Sequence, residues 1–166
     1  MPASPDDVAA LTVLLGREPT ADFDVVLRDE AGSPVVVRNA PLTRDGTPMP
    51  TRYWLVDRRL AAAVSRLESE GGVRDAARSV DAAALEAAHE AYAAERGAAL
   101  PAGYAGSRPH GGVGGTRTGV KCLHAHYAYY LAGGDDPVGA WVHSVLALPG
   151  SSYSDHTTPK PGASAL

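Results

Sequence analysis

The strand-like part of this sequence is confined to one window, residues 23–56, and what flanks that window reads as helix. Residues 23–28 and 35–38 are rich in β-branched side chains, which suit a pleated, half-buried surface. Asp29-Glu30-Ala31-Gly32-Ser33 between them has turn chemistry, so the two runs predict a hairpin. A second turn cluster, Arg44-Asp45-Gly46-Thr47-Pro48, precedes residues 51–56, a third antiparallel strand whose start Pro48 and Pro50 keep at a sheet edge.

Outside the window the hydrophobic period changes. Ser4-Pro5-Asp6-Asp7 joins a capping residue, a proline at the first helical position and acids in the first turn, which predicts a helix to about Leu15, stopped by Gly16. Asp57 caps a helix in which Leu60, Val64 and Leu67 recur at helical spacing until Gly71-Gly72. A short helix covers 73–80, and Asp81 opens an alanine-rich one to about Leu100. Its face of Leu85, Ala88, Tyr92 and Ala99 is weakly apolar, with His89 and Glu90 turned to water. A loop of glycine, proline and small polar residues follows over 101–119, then a helix over 118–131 and a last one opened by Asp136-Pro137. Strands gathered first and helices after give an α+β fold, a small three-stranded antiparallel sheet with about five helices.

At 166 residues and 45% hydrophobic content the chain suffices for one core. We expect a single domain over residues 1–148 and a disordered tail over 149–166. The net charge of −4 gives no general attraction to nucleic acid or to an anionic membrane, so any anion site is local. Cys122 is the only cysteine, which excludes an intramolecular disulfide and an all-cysteine zinc cage and points to a reducing compartment. With an acidic N-terminus and no apolar run near the roughly 18 residues of a membrane span, the expectation is a cytoplasmic protein without membrane insertion.

Chemistry concentrates where the glycine-rich loop enters the helix over 118–131. On a helix at about 100° per residue, Cys122 and His126 form an i, i+4 pair while His124 points the other way. The two histidines therefore cannot chelate one ion, whereas Cys122 and His126 can bind zinc or iron, or act as an activated thiol. Asp29, Asp57, His89, His110 and Asp135 are the available further ligands. The plainer alternative makes Cys122 a small buried hydrophobe and His126 a core histidine. The loop offers a second site: Gly114, Gly115, Arg117, Thr118 and Lys121 combine close-approach backbone, a helix start and two full charges, which suits phosphate, nucleotide or carboxylate. It lacks the Gly-Lys-Ser/Thr end of a Walker A loop and the βαβ setting of a dinucleotide fingerprint. Its plainer alternative is a flexible linker. Arg52, Arg58, Arg59 and Arg66 lie among Asp57, Glu68 and Glu70 and read as a mixed, solvated face.

Several short motifs in order carry a family likeness: Asn39-Ala40-Pro41, Asp45-Gly46-Thr47-Pro48-Met49-Pro50-Thr51 with Tyr53-Trp54-Leu55, Val64-Ser65-Arg66-Leu67-Glu68, Ala88-His89-Glu90-Ala91-Tyr92, Val120-Lys121-Cys122-Leu123-His124 and Asp136-Pro137-Val138-Gly139. In these the chain resembles the bacterial family catalogued as domain of unknown function 501, over about residues 16–147. The resemblance implies an intracellular protein of high-GC Gram-positive bacteria, often encoded beside a septum-formation initiator and an exopolyphosphatase-like protein. It also implies a Cys-Pro-Cys-Gly segment in the first hairpin and a cysteine before the next helix, which with Cys122 would make a metal or iron–sulfur site. This chain has Asp29-Glu30-Ala31-Gly32 and Asp57 at those positions, so three soft ligands are replaced.

The expectation is a non-catalytic or regulatory protein that recognises a small anionic ligand through the loop and helix start. A metal-binding or thiol enzyme centred on Cys122 and His126 is the alternative. An adaptor in cell division, envelope growth or phosphate metabolism, docking through the helix that carries Tyr92, is a third. No cofactor class follows from the sequence.

Overall fold

A computed structural model describes residues 2–147. In chain order the elements are α1 (Pro5–Leu15), β1 (Phe23–Arg28), β2 (Pro34–Asn39), β3 (Tyr53–Leu55), α2 (Arg58–Ser69), α3 (Gly72–Ser79), α4 (Ala82–Ala98), a 3-10 turn (Val113–Gly115), α5 (Leu123–Leu131) and α6 (Pro137–Leu146). The three strands form one antiparallel sheet in the order β1-β2-β3, as the turn clusters predict. The anticipated tail, 149–166, lies outside the described residues.

Four helices open on the side chains their sequences single out. Ser4 and Asp7 form a reciprocal capping box on α1, whose other end closes on the left-handed Gly16. Asp57, Asp81 and Asp136 accept from the amides of Leu60, Ala84 and Gly139 at 2.7, 2.8 and 2.8 Å. Each bond satisfies a donor that a helix start leaves orphaned, worth on the order of 1 kcal/mol.

Both faces of β2 are covered. Val37 packs with Leu11, Phe23 and Val56 beneath α1, while Val35 and Val36 join a larger core of Tyr53, Val64, Tyr92, Leu123, Tyr127 and Val138. Among the described residues no helix is long and apolar enough to cross a membrane.

Three expectations need correction. The helix over 118–131 begins only at Leu123. His89 is 4% exposed rather than solvated. Arg52 is 8% exposed: its Nε pairs with Glu95 at 2.8 Å and its Nη1 donates to the Asn39 carbonyl, so ion pairing and hydrogen bonding offset the cost of burying the charge. Beside it the Tyr92 hydroxyl, reaching from α4, accepts from the Arg52 and Tyr53 amides at 2.6 and 3.4 Å.

Candidate functional site

The approach to α5 contains no Ser, Thr, Asp or Asn at the capping position. Cys122 stands there in extended conformation, φ −147° and ψ 116°, and its sulfur is only a weak acceptor. The missing acceptor comes from α2: Glu68 Oε1 accepts from the Leu123 amide at 2.7 Å. A carboxylate at a helix N-terminus gains from the positive end of the dipole, and this one ties the end of α2 to the start of α5.

The late start of α5 changes which histidine meets the cysteine. With Cys122 outside the helix, the i, i+4 relation to His126 no longer governs its direction. His124 becomes the neighbour: its Nδ1 lies 4.0 Å from Cys122 Sγ and 3.3 Å from Glu68 Oε1. One donor atom from each of Glu68, Cys122 and His124 lies within 4.8 Å of the other two, and all three residues are half-buried.

The far side of the His124 ring fixes its chemistry. Nε2 is 3.0 Å from the Ala61 carbonyl and 3.2 Å from Ser65 Oγ. A carbonyl only accepts, so Nε2 carries the hydrogen. Nδ1 then faces a thiol and a carboxylate, and a bare lone pair there would oppose the carboxylate. A proton or a metal ion at this point would relieve that opposition. When the cation is a proton, Cys122 and burial pull on His124 in opposite senses, the Ala61 carbonyl and Glu68 side with Cys122, and its pKa is pushed up to about 9. Burial works to raise the Cys122 thiol, but His124 and the Ala125 amide outweigh it and the net shift is downward.

The cluster converges instead of forming a relay. In a nucleophile–base–acid relay the acid binds one imidazole nitrogen and the nucleophile the other. Here Sγ and Oε1 both approach Nδ1, and Nε2 is committed to backbone. Convergence on one point is the geometry of coordination. Zinc bond lengths of about 2.0–2.3 Å give tetrahedral ligand separations of about 3.3–3.6 Å. The Nδ1–Oε1 separation of 3.3 Å matches, and the Sγ–Nδ1 separation of 4.0 Å closes with a small rotation of the cysteine. The Nε2–H bond to Ala61 is of the kind that orients a histidine for metal binding.

His126 has a different role. It is fully buried, its Nδ1–H donates to Asp136 Oδ2 at 2.7 Å, and the other oxygen of Asp136 caps α6. Among the described residues Nε2 has no partner, and the ring meets His89 edge-on at 5.5 Å. Of the other anticipated ligands, Asp57 caps α2, Asp29 accepts from the Ser33 amide at 2.8 Å, His89 is bonded to backbone on both nitrogens, and His110 and Asp135 are exposed.

The residues anticipated to hold an anion divide. Arg117, Thr118 and Lys121 are exposed, whereas Gly114 and Gly115 lie in the 3-10 turn. The Gly115 amide donates to the Gly112 carbonyl at 3.1 Å, and the first amide of α5 is taken by Glu68. Glu68 is the participant that sequence reasoning misses. It reads as one acid in a mixed face, and no local pattern links it to a helix 55 residues later.

A family model described as Protein of unknown function (DUF501) matches residues 25–144, from β1 into α6. No curated protein and no solved structure matches the chain.

Proposed function

For this chain, which belongs to the family Protein of unknown function (DUF501), we propose a metal-binding function: Glu68, Cys122 and His124 hold a thiophilic divalent ion of the Zn²⁺ type. The observation that carries this reading is the convergence of Sγ, Nδ1 and Oε1 about one point while Nε2–H is held by backbone. Three protein ligands of mixed S, N and O character leave a fourth position for water or an added ligand, the pattern of reactive rather than purely structural zinc sites. One thiolate among harder donors favours Zn²⁺ over copper(I) or an iron–sulfur cluster. The site does not depend on the cysteines that the family likeness would supply. Asp57 stands at the opposite end of α2 from Glu68, about 16 Å away by helix rise.

Cobalt substitution of metal-free, tag-free protein tests this. One equivalent of Co²⁺ is expected to bind with a thiolate charge-transfer absorption that Cys122→Ser abolishes, and His124→Ala is expected to weaken Zn²⁺ binding about 100-fold. Absence of that absorption, or equal Zn²⁺ affinity in wild type and His124→Ala, removes the reading.

A further inference from the structure

The glycines between α4 and α5 suggest slack, yet buried side chains of α4 hold this loop from below. His89 Nδ1 accepts from the Val113 amide at 3.0 Å, and its Nε2–H donates to the Gly119 carbonyl at 2.9 Å. Two turns on, Arg96 is 2% exposed and no carboxylate pairs with it among the described residues. Its guanidinium donates to the carbonyls of Gly111 at 2.6 Å, Pro109 at 3.4 Å and Pro50 at 2.7 Å. Leaving a buried charge without a counter-charge is costly, and carbonyl dipoles recover part of that cost only while the loop stays in place.

The glycines are required by this seating. A Cβ at Gly112 would lie 2.4 Å from His89 Nδ1, and one at Gly111 would lie 2.6 Å from the Gly115 carbonyl oxygen. On its other side the same turn faces the start of α5. A Cβ at Gly114 would stand 3.7 Å from Cys122 Cβ and 3.8 Å from Ala125 Cβ. His89 and Arg96 therefore hold residues 109–113 by direct hydrogen bonds, and the turn they hold borders Cys122 at Gly114.

We infer that His89 and Arg96 are positioning residues that seat the 109–119 strap beside Cys122, so that reagents and ions reach its sulfur more readily when the strap lifts. The inference rests on the proposed metal site only for what is admitted; the seating itself concerns the thiol. The test is the rate at which an aromatic disulfide reagent modifies Cys122 in metal-free, folded protein. His89→Ala is expected to react at least about tenfold faster than wild type, with a rate that depends only weakly on urea, as local opening does. His89→Asn, whose side-chain oxygen can still accept from the Val113 amide, is expected to recover part of the protection. Gly112→Ala loosens the strap from the loop side without altering α4, and is expected to react faster as well. Wild-type rates in both His89→Ala and Gly112→Ala overturn the inference, as do rates that rise steeply with urea and track global unfolding. Failure of Zn²⁺ to bind wild type would instead remove the metal site and leave this result standing.

Discussion

His124 and His126 sit two residues apart on α5 and live in different chemical worlds. His126 is sealed in the core, held by a fully buried carboxylate that also caps α6. His124 lies at the α2–α5 junction, pinned through Nε2 by a backbone carbonyl, with Nδ1 presented to a thiol and a carboxylate. One pair of groups is closed on itself and stabilises packing, and the other presents its donor atoms to a shared point. Which ring nitrogen is held, and whether the other faces the core or a polar cluster, decides which histidine is available for chemistry.

The sharpest way to break this contrast is at Asp136. Asp136→Ala leaves His126 without any bonded nitrogen in the core and α6 without its cap, and is expected to cost about 3–5 kcal/mol in urea unfolding. A loss below about 1 kcal/mol would mean that the buried pair is not the structural one. An intermediate effect belongs to pH. The His124 pKa stands near 9 in the folded, metal-free chain, above its ordinary value of 6.5. The stability it contributes is complete below about 6.5 and is lost as pH rises through about 9. The Tm of metal-free protein should therefore fall between pH 7 and 10, less so in His124→Gln. With Zn²⁺ present the trend opposes this, since the ion displaces the same proton and binds more tightly as pH rises. The smallest effect is expected from Arg117→Ala with Lys121→Ala. Both side chains are exposed, and their loss should shift unfolding by no more than about 0.5 kcal/mol. A phosphate-dependent rise in wild-type Tm that this double variant lacks would support the loop as an anion site.

The architecture was largely legible in the sequence because its instructions are local. Ser4, Asp57, Asp81 and Asp136 each act within three residues of themselves, and the hairpin turn at Asp29–Ser33 closes on its own side chain. The start of α5 was not legible because its cap arrives from Glu68, and that difference of a few residues brings His124, not His126, beside Cys122. His89, Arg52 and Arg96 were missed for a related reason. Polar residues on a helix or strand read as solvated, and only the assembled fold supplies the carbonyls and the Glu95 carboxylate that make their burial tolerable. At the site, Cys122 and the glycine loop could be singled out from sequence. Their meeting at Gly114 depends on how α4 and α5 pack.

The Tyr92 hydroxyl, which accepts from the Arg52 and Tyr53 amides, has a bearing on how the chain behaves in a crowded solution. β3 is the last strand of its sheet, and such a strand is a template for recruiting another molecule's backbone. By engaging its first amide, and the amide just before it, from within, α4 blunts the start of that edge and discourages intermolecular β-pairing there.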